Sequence, residues 1–141
     1  MARQKWVLLK ETAKTGCFEL LVDTSAWVEL FDGTVKGEKI KEIIKTSVCF
    51  TSAICIAELS FLTAKKGLER TKYLNAVNAF STIIDLDRSI LEMGGVLKAE
   101  KILTVKNFGL VDAIILATAK QYNLKILTGD KHFAGENAVI I

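Results

Sequence analysis

The sequence predicts an α/β domain, a three-layer α/β/α arrangement with a central parallel sheet. Short apolar runs of strand length alternate with longer stretches of helical periodicity from residue 18 onward. Strands separated by helices of these lengths pair in parallel through right-handed crossovers. The 141 residues contain no proline, no repeat and no Gly/Ser tract, so nothing marks an internal boundary and a single core fits the length.

FELLV (18–22) reads as a short buried strand, followed by a helix from about Thr24 to Phe31 and a Lys-rich helix from about Lys36 to Lys45. SVCF reads as the second strand. Thr51 or Ser52 supplies an N-cap for the helix AICIAELSFLTAKK, which Gly67 ends. A helix over roughly 69–80, the strand STIIDL and a helix from Arg88 to about Lys101, capped by Asp87, come next. VDAIILATAKQY is apolar on almost every side, which predicts a buried helix. KILTG and AVII are the last two strands.

Composition narrows the class. Half the residues are hydrophobic, yet no apolar run approaches the roughly 20 residues of a membrane span, so a soluble, cytoplasmic protein without a membrane partner is expected. Cys17, Cys49 and Cys55 form no CxxC pair, and their odd number argues against a disulfide framework. Zinc ligation is not expected, because His132 is the single histidine. A net charge of +3 permits a nucleic-acid partner without requiring one. Lysines cluster at Lys36, Lys39, Lys41 and Lys45, at Lys65, Lys66 and Lys72 beside Arg70, and at Lys98, Lys101 and Lys106. Each cluster is interleaved with Glu, as on a solvated helix face.

Four carboxylates stand at the edges of the most apolar segments: Asp23, Glu58, Asp112 and Asp130. In a parallel sheet, ligands bind outside the carboxyl ends of the strands. Asp23 and Asp130 follow strands directly and fall on that edge, whereas Glu58 and Asp112 reach it through their helices. Three of the four have adequate local explanations. Asp23 could cap the helix after it, Asp112 sits in a first helical turn, and Asp130 lies in a Gly-Asp turn. Glu58 has none, since its helical neighbours Ile54, Cys55, Phe61 and Leu62 place it in the middle of the core-facing stripe, and the nearest basic residue on its face is Lys65, two turns away. Glu29, Glu38 and Glu42 fit solvated faces. A buried carboxylate is costly without a positive partner, so four placed this way point to a shared divalent ion, and hydrolysis of a phosphodiester is the obvious use of one.

VDTSAW, the mid-helix AEL, the VDAIILATA helix and TGDKHF, in that order, resemble the PIN-domain nucleases, and among them the VapC-type toxins of toxin-antitoxin pairs. The resemblance runs from about Leu20 to the C-terminus. It implies a metal-dependent endoribonuclease in which Asp23, Glu58, Asp112 and Asp130 are the catalytic, metal-holding acids and Thr24 and Thr128 are polar supports. Oxygen-only ligands of this kind suit Mg2+ or Mn2+. The partners implied are RNA, single-stranded or looped, a cognate antitoxin offering Arg or Lys to the acids, and a second copy in a homodimer. Lys98, Lys101 and Lys106 are the choice for an RNA phosphate grip. His132 carries over only as a turn residue before a packed Phe133.

The domain so defined covers 19–141 and leaves 1–18 as an N-terminal arm, expected to be a poorly ordered or helical extension. Its functional reading is a partner or RNA contact through Arg3, Lys5, Trp6 and Lys10. Two further readings keep the fold: a PIN nuclease of RNA processing or decay without an antitoxin, and an inactive, binding-only PIN domain. A Mg-binding receiver-like signalling module would need adjacent acids after the first strand, where Asp23 is followed by Thr24 and Ser25.

Overall fold

Alternation along the first strand sets the layers. In the computed structural model, which describes residues 18–141, β1 (Phe18–Val22) sends Leu21 to one face of the sheet and Leu20 and Val22 to the other. Residues 1–17 of the N-terminal arm, with Arg3, Lys5, Trp6 and Lys10, lie outside the described residues, and Phe18, placed in the arm by the sequence, opens β1. After β1 come α1 (Thr24–Asp32), α2 (Val35–Lys45), β2 (Ser47–Ser52), α3 (Ile54–Lys66), α4 (Arg70–Phe80), β3 (Thr82–Ile84), α5 (Arg88–Lys101), α6 (Leu110–Tyr122), β4 (Lys125–Thr128), a single 3-10 turn (Lys131–Phe133) and β5 (Ala138–Ile140).

All strands are parallel, in the order β3-β2-β1-β4-β5. Leu21 stands opposite Phe50 and Ile126 in an apolar row on one face, and on the other Leu20 stands opposite Cys49 and Val22 opposite Leu127. One row packs against Ala113, Ile115, Leu116 and Ala119 of α6, and α6 is buried continuously from Ala113 to Ala119, as its all-round apolar sequence predicts. The other row packs against Ala26 and Trp27 of α1 and Ile40 and Ile44 of α2. The three-layer α/β/α reading holds.

Sheet order also places the site. The chain builds β2 and β3 outward on one side of β1, then crosses to place β4 and β5 on the other. That reversal opens a crevice between the carboxyl ends of β1 and β4, the switch point where such folds bind ligands. Asp23 ends β1, and Asp130 lies just beyond β4.

Local signals were mostly obeyed. Gly67 ends α3 in the left-handed conformation at φ 66°, and the Asp87 carboxylate accepts the Ile90 N–H at 2.9 Å to cap α5. The N-cap of α3 differs. Thr51 and Ser52 are strand residues, and α3 starts after Ala53 with no side-chain cap. The Thr51 hydroxyl is held instead by the buried Trp27, whose Nε1–H donates to it at 3.2 Å, and by Ser81 at 2.7 Å. Satisfying a buried indole N–H outweighs capping a helix end. Helix α3 buries Cys55, Leu59 and Thr63, while Phe61 is 64 % exposed, so Glu58 lies at the margin of the core stripe rather than in its middle. Among the described residues no helix is long and apolar enough to cross a membrane.

The packing of α5 on α6, which carries Asp112, depends on one glycine. A Cβ on Gly94 would sit 2.9 Å from Ile114 Cγ1 and 3.3 Å from Ile114 Cα, whereas one on Gly95 would meet nothing within 4 Å. Gly94→Ala should therefore destabilise the domain by about 1–3 kcal/mol through overpacking, while Gly95→Ala should stabilise it by about 0.5–1 kcal/mol through helix propensity. Urea unfolding of the two variants beside the parent checks both signs.

Candidate active site

The corner after β1 is built around a buried charge. Asp23 is only 4 % exposed, and its backbone N–H donates to the Leu127 carbonyl at 2.9 Å, tying the end of β1 to β4. Its side chain does not cap α1, which disposes of the local explanation for this acid. Instead, Asp23 Oδ2 accepts hydrogen bonds from Ser25 Oγ at 2.7 Å and Thr128 Oγ1 at 2.9 Å. Burial pushes this carboxyl above the ordinary carboxylate range. The two hydroxyls pull it partly back, and the negative charge of Asp112 raises it further.

Glu58 meets this group from α3. Thr24 Oγ1 donates to Glu58 Oε1 at 2.7 Å, so the supporting threonine of the sequence reading holds the acid from another helix. Burial also raises the Glu58 carboxyl; the Thr24 bond opposes that shift and the charges of Asp23 and Asp112 reinforce it. Lys65, the nearest basic residue by sequence, places its ammonium over the Phe61 ring, 5.9 Å from the centroid. Among the described residues no lysine or arginine forms an ion pair with Asp23, Glu58, Asp112 or Asp130.

Asp112 and Asp130 close the group. Asp112 Oδ2 accepts the Gly109 N–H at 3.0 Å, which orients the carboxylate at the start of α6. Asp130 Oδ1 accepts the His132 N–H at 2.8 Å, while the Asp130 N–H donates to Thr128 Oγ1 at 2.9 Å. Thr128 thus touches both Asp23 and the turn bearing Asp130. His132, expected to be a turn residue alone, does more than that. Its ring Nδ1 stands 3.3 Å from Asp112 Oδ2 and 3.2 Å from Asp130 Oδ2, because the 3-10 turn that buries Phe133 swings the preceding side chain over α6.

Sequence reasoning also missed Ser25. Besides bonding Asp23, its Oγ accepts the Gly129 N–H at 3.0 Å and lies 3.0 Å from Thr128 Oγ1, so it joins the two strand ends. The available signal was the second hydroxyl of DTS, two residues beyond the acid. Glu29, read as a solvated residue, is half-buried, and its carboxylate accepts a hydrogen bond from Thr34. The lysines expected to face RNA divide. Lys98 donates to the Phe108 carbonyl and Lys101 pairs with Glu136, leaving Lys106 exposed. Cys55, buried close by, has its thiol pushed up to about 12 by burial, so it stays protonated and inert.

A raised carboxyl is a liability to the fold. Below the unfolded value of 3.8 both states of Asp23 are protonated and nothing is lost; as pH rises through the higher folded value, the native state comes to carry a charge it disfavours. Asp23→Asn keeps an oxygen for Ser25 and Thr128 and removes that charge. In EDTA the variant should melt at a higher temperature than the parent at pH 7, and the gap should close as pH falls to about 4. Calorimetry across that range measures it.

The likenesses of this chain to known proteins agree with the geometry. A comparison with curated proteins found no match. Among solved structures, the chain is similar to a toxin-antitoxin complex from Klebsiella pneumoniae, with 27 % identity, a TM-score of 0.68, and coverage of 85 % of this chain and 95 % of that one. It is similar in fold to VapBC2 from Rickettsia felis bound to a promoter DNA fragment, at 19 % identity, a TM-score of 0.68, and coverage of 88 % and 98 %. VapC20 from Mycobacterium tuberculosis, described as a sarcin-ricin loop cleaving toxin, shares the fold at 19 % identity and a TM-score of 0.62, with 83 % and 95 % covered. The PIN domain family model matches residues 20–135, a span that takes in all four acids and every hydroxyl bonded to them, and the chain belongs to that family.

Proposed function

We propose that this chain is a divalent-metal-dependent endoribonuclease, the toxin of a VapC-type toxin-antitoxin pair, with residues 19–141 as the nuclease unit and 1–18 as an accessory arm. One observation carries the reading: Asp23, Glu58 and Asp112, borne by separate elements, lie close enough at the β1/β4 switch point for their charges to act on one another, Asp112 and Asp130 share the His132 imidazole, and among the described residues no lysine or arginine pairs with any of the four.

The donor set fits a hard divalent ion. Asp23, Glu58, Asp112 and Asp130 offer carboxylate oxygens, and the cost that burial first and neighbouring negative charge second impose on ionised Asp23 and Glu58 is what a cation would relieve. Thr24 and Thr128 serve as supports, each fixing one carboxylate oxygen. An Mg2+ or Mn2+ ion in this position supplies Lewis-acid polarisation of a phosphoryl oxygen and makes a water more acidic. The protein's own part is orientation. Ser25 and Thr128 keep Asp23 usable as an anion despite its burial, Gly109 aims Asp112, and Thr24 aims Glu58. A site so negative repels a phosphate backbone until it is neutralised, so RNA is bound only by the metal-loaded protein.

With Lys98 and Lys101 engaged inside the chain, the phosphate contact proposed for that trio narrows to Lys106. The same negative crevice suits an Arg or Lys of an antitoxin, and the toxin-antitoxin complexes among the structural neighbours support such a partner. A homodimer is proposed on the family resemblance. A receiver-type signalling role is disfavoured, because the positions after Asp23 are hydroxyls already bonded to Glu58 and Asp23.

The test is cleavage of an end-labelled pool of structured and looped RNA by the purified chain with Mg2+ or Mn2+, beside an EDTA control. Metal-dependent cutting is expected, and the Asp23→Asn, Asp112→Asn double variant should lose on the order of a hundredfold or more, the scale of several kcal/mol of charge stabilisation. Cutting that survives the double substitution would place the chemistry elsewhere.

A further inference from the structure

The acidic site contains one nitrogen donor that its oxygen chemistry does not require. One donor atom from each of His132, Asp112 and Asp130 lies within 4.8 Å of the other two, and His132 Nδ1 faces Oδ2 of both acids. Backbone N–H groups orient both carboxylates. Asp112 Oδ2 is held by the Gly109 N–H, and Asp130 is held through its other oxygen by the His132 N–H. The ring is fixed by the turn that anchors Phe133, which is fully buried and packs edge-on against Phe108 at 6.1 Å. Donors from α6 and from the turn after β4 therefore converge.

The spacing is that of a coordination polyhedron. Ligands at about 2.1 Å from an octahedral ion stand about 3.0 Å apart when adjacent. The nitrogen lies 3.3 Å from one carboxylate oxygen and 3.2 Å from the other, two edges close to that length. An imidazole does not add equally for every metal. Mg2+ prefers oxygen and holds its waters, whereas nitrogen donors favour first-row transition ions.

We propose that His132 is a direct nitrogen ligand of the metal site, completing a His-Asp-Asp face with Asp112 and Asp130 and biasing the site toward first-row transition ions over Mg2+. The proposal rests on the metal-site reading above and specifies one ligand within it. His132 is the single histidine of the chain, so any imidazole nitrogen bound to the metal can come only from it.

Mn2+ is the probe, added to the untagged full-length chain. Binding is followed by the loss of the free-ion electron paramagnetic resonance signal, and the bound ion is examined by electron spin-echo envelope modulation for a directly coordinated 14N. The expected result is stoichiometric Mn2+ with 14N modulation, absent in His132→Ala, which should bind Mn2+ on the order of tenfold more weakly while competition by Mg2+ shows little change in Mg2+ affinity. Bound Mn2+ without nitrogen modulation, or an unchanged Mn2+/Mg2+ preference in His132→Ala, overturns the proposal and leaves the carboxylate site standing. No Mn2+ binding by the parent chain overturns the metal reading with it. Should His132→Ala fail to fold, the modulation of the parent decides alone.

Discussion

Everything at the carboxyl edge of this sheet is arranged around a negative charge that the fold does not cancel. Asp23 is buried at the junction of β1 and β4, and its carboxyl is pushed upward by burial and by Asp112. A lysine or arginine in contact would remove the cost and also occupy the place of any cation the site is to bind. The chain uses hydroxyls instead. Ser25 and Thr128 donate to Asp23, and Thr24 donates to Glu58. A neutral donor lowers the desolvation cost of an anion without consuming its charge, which preserves the field at the centre of the crevice.

Topology makes this possible with short-range parts. DTS follows β1 directly, so one tripeptide delivers the acid, a support for it and the support for Glu58. The β4 turn returns Thr128 and Asp130 to the same place, and the strand order sets the two ends side by side. Helix α6 can carry Asp112 into the crevice because its body is buried on the sheet from Ala113 onward and its position is gauged by Gly94 against Ile114. The apolar mass of the domain is the fixture for four charged side chains.

The fold was legible because both periodicities are clean: strands of alternating burial and a nearly all-apolar α6 leave few competing arrangements. The four acids were chosen for their setting beside apolar runs, where only Glu58 lacks a local task; Asp112 and Asp130 also make the local bonds that their positions predict, to the Gly109 and His132 N–H groups. What escaped the sequence were contacts set by neighbours distant in the chain. Ser25 matters through Gly129 and Thr128, more than a hundred residues away. Thr51 was diverted from capping by the indole of Trp27. Lys98 and Lys101 looked like solvated cations, yet the loop before α6 and Glu136 claim them. His132 was hidden by its commonplace setting in a Gly-Asp turn.

These cases share a physical cause. Backbone propensity and burial are properties of a segment, so periodicity reports them; the partner of a polar side chain depends on which segment the sheet order places beside it. Lys98 illustrates the consequence for the site. By bonding the Phe108 carbonyl it braces the segment leading to Gly109, whose N–H in turn orients Asp112. A residue chosen from sequence as a surface contact for substrate is, in the folded chain, two steps removed from a carboxylate of the site and part of what holds that carboxylate in place.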